Sequence, residues 1–213
     1  MQAARQEAVT DRPDIMALLR CQTAADHERM HRLPLFMKLE TGTIDRDEYC
    51  LLLVGMLGFY TRFDRIAQIG CASFGTITAP YAYTPRAPLI AGEIASVAGH
   101  SIRDETGTAC GLATPNSPAN LAGMLYVVDG AMLGGSLLSR QCARFGLADN
   151  GYWHWCRQQA GAQWRGTRML LHKVARGLDE ADHVVAGARS AFAAFGASMH
   201  CAALACDRLA AAR

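Results

Sequence analysis

A histidine at the end of an amphipathic segment is the first residue that could carry chemistry. The segment LLRCQTAADH runs from Leu18 to His27. Leu19, Thr23 and His27 are four residues apart, so they share one face of a helix. A neutral imidazole on that face can ligate a metal ion, although a lone histidine of this kind more often only satisfies hydrogen bonds within a core.

His31 follows His27 by one turn and forms an H-x-x-x-H pair that could in principle hold zinc. Glu28 follows His27 directly, so residues 27–31 match the H-E-x-x-H pattern, but the sequence shows no third ligand. The eight cysteines are scattered without C-x-x-C or Cys/His zinc spacing, and we interpret them as reduced, mostly buried thiols. The sequence therefore does not predict a zinc site.

A glycine-rich stretch, YVVDGAMLGGSLLSR over residues 126–140, is the second unusual feature. Gly130, Gly134 and Gly135 interrupt an apolar helical pattern, where each costs about 1 kcal/mol relative to alanine. Gly130 and Gly134 share one face and leave a strip of bare backbone. Another helix or a flat ligand can approach such a strip closely, and the helix can kink there.

The elements that position these residues are predicted to be helices. The chain has 213 residues, 51% of them hydrophobic and 19% charged, which fits one globular domain over residues 1–213 with a flexible N-terminus at 1–10. Alanine, leucine, methionine and arginine are frequent, and alternating β-branched stretches are few. We therefore predict an all-α fold.

Charge and hydropathy exclude several functional classes. The net charge is only +2 and no Lys/Arg run occurs, so a nucleic-acid partner is not expected. No apolar stretch reaches the roughly 18 to 20 residues of a membrane span, and the N-terminus lacks the apolar segment of a signal peptide. We expect a cytoplasmic protein.

Helical spacing divides the chain into six blocks, and turn-forming residues separate them. Ser117, directly before Pro118, is a good candidate for a helix N-cap. Irregular connections are predicted over 72–88 and 104–118. The predicted helices run from Asp11 or Asp14 to His31, from Asp45 to Ile69, over 89–102, from Ser117 to Phe145, over 151–176 and over 180–210.

Taken together, the two segments that could carry chemistry resemble the haem oxygenases, in particular the bacterial biliverdin-forming type. The matching patterns are L-R-x-x-T-x-x-x-H, ending at His27, and Y-V-x-[ED]-G-x-x-L-G-G, over residues 126–135. The resemblance spans about residues 15 to 200. It implies a single-domain helical bundle that holds haem between the first helix and a kinked glycine-rich helix.

The resemblance also implies roles for single residues. His27 matches the ligand of the haem iron, and Tyr60 resembles a tyrosine of the distal hydrogen-bond network. Gly130 and Gly134 would form the distal wall that steers oxygen towards the ring. The remaining expected haem-binding residues are Gly135 on the same helix and three arginines that would meet the propionates, Arg20, Arg165 and Arg168.

One position departs from the pattern. Many haem oxygenases have an aspartate directly after the first glycine, where it orders distal water, and Ala131 occupies that position here. Asp129 precedes the glycine instead. Since one helix position is a rotation of 100°, Asp129 cannot simply replace the missing carboxylate.

The implied reaction is the O2- and electron-dependent cleavage of haem to biliverdin, Fe2+ and CO, in which haem is both cofactor and substrate. The sequence has no G-x-G-x-x-G fingerprint, so electrons are expected from an external reductase or ferredoxin. A bacteriophytochrome is a candidate recipient of the biliverdin. The residues leave open whether the product serves iron supply or chromophore supply.

Two other functions are compatible with the same scaffold. A non-catalytic haem carrier or sensor is suggested by Ala131. Thiamin-type hydrolysis or carboxylate-bridged di-iron chemistry is the other alternative. Glu180 and His183 have the E-x-x-H spacing that a di-iron site uses, but a di-iron set also needs further inward-facing carboxylates.

Overall fold

The computed structural model describes residues 14–98, 111–147 and 151–211, and every regular element within these ranges is helical. The predicted all-α class is confirmed. The predicted flexible N-terminus and residues 104–110 of the second predicted connection lie outside the described residues. The helices are α1 Ile15–Gln22, α2 Ala24–His31, α3 Pro34–Thr41, α4 Arg46–Ser73, α5 Gly75–Thr78, α6 Ala87–Ala98, α7 Pro118–Ala131, α8 Gly135–Cys142, α9 Tyr152–Val174 and α10 Leu178–Ala211, with 3-10 turns at Met132–Gly134 and Ala143–Phe145.

Three helices begin with a side-chain cap, at or near the starts that the sequence predicts. The Asp14 carboxylate accepts from the backbone N–H groups of the first turn of α1. Asp45 and Glu48 form a reciprocal capping box at the start of α4. Ser117 accepts from a first-turn N–H of α7, and Pro118 occupies the first helical position.

The predicted continuous helix up to His31 is wrong, because the chain breaks at Thr23. Thr23 has φ −114° and ψ 7°, and its hydroxyl donates to the carbonyl oxygen of Leu19 at 2.7 Å. A threonine side chain that bonds back to the preceding turn competes with regular helix geometry. His27 therefore lies on its own short helix, α2, which has no buried residue.

The glycine-rich helix is not continuous. The 3-10 turn Met132–Gly134 separates α7 from α8, and a second 3-10 turn ends the segment at Phe145. Gly134 and Gly135 have φ of −74° and −58°, values that any residue adopts. Glycine at these two positions therefore matters because it lacks a side chain, not because the backbone needs an unusual conformation.

The core centres on α10, which packs along α7 and α4, while α9 packs against α7 and α8. At the crossing of α7 and α10 two glycines let the backbones touch. A Cβ on Gly123 would lie 1.8 Å from the carbonyl oxygen of Val184, and one on Gly187 would lie 2.0 Å from that of Asn120. The alanine-rich α10 therefore packs closely on α7. No helix in the described ranges is long and apolar enough to cross a membrane.

Candidate functional site

A largely apolar cavity of about 380 Å³ is lined by residues of seven helices, α2, α3, α4, α7, α8, α9 and α10. Helix α2, the middle of α4, the end of α7 with its 3-10 turn, and α10 all contribute to its wall. Apolar cavities of this size with a few polar groups are the usual form of a small-molecule site. The cavity brings together His27, Tyr60, Gly130 and Gly134, which are far apart in the sequence.

His27 lines this cavity from α2. Its ring meets the ring of Phe192 on α10 edge-on, with 6.4 Å between the centroids. Partial desolvation by the surrounding side chains lowers the pKa of His27, and the neighbouring His31 lowers that pKa further. Both effects favour the neutral imidazole, which is the form that ligates a metal.

The bare backbone at Gly130 and Gly134 faces the cavity. A Cβ on Gly134 would have no atom within 4 Å, and one on Gly130 would make only an ordinary contact, at 3.5 Å, with the ring of Trp164. Helix packing therefore does not require glycine at either position. The absence of side chains keeps the space next to the turn open for a ligand.

Gly135, expected to contact the same ligand, lies elsewhere. It is not part of the cavity wall but faces α9, where an added Cβ would come within 2.8 Å of the Cβ of Cys156. The same Cβ would lie 3.5 Å from the backbone carbonyl oxygen of Trp153. Glycine at 135 thus allows α8 to pack on α9, and its neighbour at 134 is the one next to open space.

Two tyrosine hydroxyls are held together in the cavity wall. Tyr152 donates to the hydroxyl of Tyr60 at 3.2 Å, and both residues line the cavity. Burial raises the pKa of Tyr60 to about 12, so the phenol stays neutral and keeps a proton to donate. Ala131 also lines the cavity, and Glu40 is the only carboxylate among the described lining residues.

A buried arginine supports the glycine turn from behind, and the sequence analysis missed it. Arg86 is fully buried and forms an ion pair with the equally buried Asp129. Asp129 also accepts hydrogen bonds from the hydroxyls of Tyr81, at 2.7 Å, and Thr167. Its carboxylate is thus occupied in a structural network one residue before Gly130.

The rest of Arg86 faces the tyrosines and the turn. Its guanidinium carbon lies 5.8 Å from the ring centre of Tyr60 and 5.0 Å from that of Tyr83, and Nη2 is 3.2 Å from Sδ of Met132. Nε and Nη1 have no hydrogen-bond partner among the described residues.

The stretch 72–88 looked irregular because of its Gly, Pro and Thr content. Two tyrosines and an arginine close together there were the only signal of a buried segment.

The predicted propionate-binding arginines are separated by the structure. Arg20 and Arg168 line one groove together with His172, and Trp164 borders both this groove and the cavity. Arg165 is exposed and lines neither. The structure thus brings two of the three arginines together and adds a histidine one turn after Arg168.

No group of three His, Cys, Asp or Glu side chains within the described ranges could hold a metal ion. A haem iron needs only one axial donor from the protein, which a single histidine supplies.

Solved structures of haem oxygenases share this architecture. The haem oxygenase of Leptospira interrogans superposes with a TM-score of 0.72 at 14% sequence identity, over 88% of this chain and 98% of that one. Haem oxygenase-1 of the cyanobacterium Synechocystis, solved in complex with haem, gives a TM-score of 0.66 at 17% identity, over 94% of this chain and 96% of that one.

By sequence alone, no family model and no curated protein matches the chain. The structural likeness covers nearly the whole of each haem oxygenase chain. The protein therefore has the haem oxygenase fold.

Proposed function

We propose that the protein is a haem oxygenase, which uses O2 and electrons to cleave haem to biliverdin, Fe2+ and CO. One observation carries the proposal: a histidine on α2 and the bare backbone at Gly130 and Gly134 line the same apolar cavity. A metal donor next to a wall without side chains suits a flat, metal-centred ligand. The fold shared with haem oxygenases supports this assignment.

The residues present fit haem in three respects. The cavity wall is mostly apolar, as a porphyrin ring requires, and His27 offers one neutral imidazole. The open space before Gly134 leaves the backbone of this turn accessible to a flat ligand. Arg20 and Arg168, in the groove beyond Trp164, are the cations that would pair with the propionates.

When bound, haem supplies both the redox-active iron and the ring carbon that is oxidised. His27 would hold the iron through one ring nitrogen. The backbone at Gly130 and Gly134 would confine oxygen beside the ring, since no side chain keeps the helix away. The buried pair of Arg86 and Asp129 would fix the position of that turn.

Ala131 favours a second candidate, a haem carrier or sensor, because it provides no carboxylate to order water. The paired hydroxyls of Tyr60 and Tyr152 provide other polar groups at the cavity. They are neutral, they line the cavity, and they can hold water or pass a proton there. We therefore favour the enzyme over the carrier.

Turnover separates the two candidates. Purified protein loaded with one equivalent of haem is reduced with ascorbate in air, and the visible spectrum and released CO are followed. An oxygenase converts the haem band to that of biliverdin and releases CO. A carrier keeps the haem intact or bleaches it without biliverdin, which would contradict the proposed activity.

The proposal includes its partners. Because the sequence has no dinucleotide-binding fingerprint, a separate reductase or ferredoxin would deliver the electrons. A bacteriophytochrome is a candidate recipient of the biliverdin, and the expected location is the cytoplasm. Ascorbate supplies the electrons in the assay. The identity of the natural reductase or ferredoxin therefore does not affect the result.

A further inference from the structure

Two histidines of α2 stand side by side at the cavity. His27 and His31 are one turn apart, and their ring centroids are separated by 4.6 Å with 56° between the ring planes. Both line the cavity. The proposed function uses only His27 and leaves the second ring without a role.

Glu40, on the following helix α3, fixes the second ring. Its Oε1 lies 2.7 Å from Nδ1 of His31. A carboxylate only accepts hydrogen bonds, so Nδ1 of His31 carries the proton. In the neutral ring Nε2 is then left as an acceptor.

The acidic side chains next to His27 in the sequence are engaged elsewhere. Asp26 is paired with Arg29, and Glu28 lies 2.9 Å from Arg32. The His31 ring, whose centroid lies 4.6 Å from that of His27, is left as a neighbouring side-chain acceptor for the second nitrogen of His27. An imidazole that ligates a metal almost always donates its other N–H to such an acceptor, which fixes its orientation and raises its basicity.

We propose that His31 and Glu40 are positioning residues for His27 in the haem-loaded protein. Nδ1–H of His27 donates to Nε2 of His31, and Nδ1–H of His31 donates to the Glu40 carboxylate. This chain of two hydrogen bonds strengthens the bond between His27 and the iron. The inference rests on the proposed haem site.

The test uses His31→Leu and Glu40→Gln in the full chain, reconstituted with haem and reduced under argon. The iron–histidine stretching frequency is read by resonance Raman spectroscopy, together with the haem dissociation constant. We expect His31→Leu to lower the frequency and weaken haem binding by about tenfold, the lower end for a lost supporting hydrogen bond. Glu40→Gln should lower the frequency less, because the amide oxygen still accepts but carries no charge.

Glu28→Gln is the matched control, because it removes one negative charge beside His27 without touching His31. Its frequency should equal that of the parent. An unchanged frequency in both His31→Leu and Glu40→Gln would overturn the relay. So would an equal shift in Glu28→Gln.

His27→Ala distinguishes failure of the relay from failure of the proposed function. If this variant loses the iron–histidine mode while His31→Leu keeps it unchanged, only the relay is contradicted. If His27→Ala keeps the mode and His31→Leu loses it, His31 is the ligand, and the assignments of both residues fall. If the parent protein binds no haem, the proposed function and the relay fail together.

Discussion

Single residues in this protein differ sharply in how replaceable they are. The ion pair of Arg86 and Asp129 is completely buried, and loss of one partner leaves the other charge without compensation. Arg20 and Arg168, by contrast, belong to an open groove, which Asp14 also lines, and their loss is expected to affect the binding of an anionic ligand more than the fold. The two sets of cations thus predict different consequences of substitution.

Asp129→Asn should destabilise the folded protein by about 3 to 5 kcal/mol, the usual cost of breaking a buried ion pair. Urea unfolding measures the change, with the exposed Asp182→Asn as control. The double variant Arg86→Leu/Asp129→Leu should lose less than the two single leucine variants added together. A loss below 1 kcal/mol in Asp129→Asn would contradict the buried network.

Arg20→Ala and Arg168→Ala should each weaken haem binding by about 1 to 3 kcal/mol, the value of a hydrogen bond to a charged group. Arg165→Ala is the matched control, since this arginine lies on the same helix as Arg168 but outside the groove. Haem titration of the three variants gives the comparison. Equal affinity in all three would remove the groove from the haem site.

At the scale of helices, the neighbours Gly134 and Gly135 face different surroundings. The first is next to open space in the cavity, and the second is against Cys156 on α9. The sequence shows both only as breaks in an apolar helix. Gly135 is therefore needed for helix packing, and Gly134 is the one next to the proposed ligand.

Gly134→Leu should fold, bind haem through His27 and fail to form biliverdin, because the new side chain fills the space beside the turn. Gly135→Leu should instead lower stability by about 1 to 3 kcal/mol through overpacking. Thermal unfolding and ascorbate-driven turnover of the pair measure both effects. A haem-loaded Gly134→Leu protein with parental turnover would contradict the assignment of the distal wall.

A buried carboxylate links α6 to the start of α9. Glu93 accepts from the Tyr49 hydroxyl and from the backbone N–H of Tyr152, and burial raises its pKa. A raised pKa means that the folded protein holds the proton more tightly than the unfolded chain. This contribution to stability is complete below the unfolded pKa, about 4.3, and is lost as pH rises through the folded pKa.

The side chain of Glu93→Gln does not titrate. Between about pH 4 and pH 7 this variant should therefore lose less unfolding free energy than the parent protein. The pH range starts near the ordinary pKa of a glutamate carboxyl, about 4.3. Urea unfolding at several pH values checks this. Exposed Glu180→Gln is the control and should follow the parent curve. A Glu93→Gln curve parallel to the parent would show that this carboxyl does not titrate differently in the folded state.

Local rules explain which helical features could be predicted. The caps at Asp45 and Ser117 depend on residues within three positions, so the sequence contains the whole signal. The helix breaks at Thr23 because the hydroxyl of this residue donates to the carbonyl oxygen of Leu19. Hydrophobic periodicity does not indicate whether a threonine makes this bond. The burial of Arg86 depends on Asp129, 43 positions away, and only the folded chain brings the two together.

At the scale of the whole molecule, the cavity is assembled from segments that span most of the described chain, from α2 to α10. The architecture agrees with haem oxygenases at only 14% and 17% identity, so the arrangement of helices is shared while most side chains differ. Two short motifs at the cavity were enough to predict this fold. The supporting residues Tyr152, Arg86 and His172 became visible only through their neighbours in space.

The central claim is that this cavity binds haem through His27. The most direct measurement is the absorption spectrum of the protein and of His27→Ala, each titrated with haem, with circular dichroism as a check on the fold. We predict one haem per chain with a histidine-ligated spectrum in the parent, and loss of that spectrum in a variant that keeps its helices. An unchanged Soret and visible spectrum in His27→Ala would contradict the account.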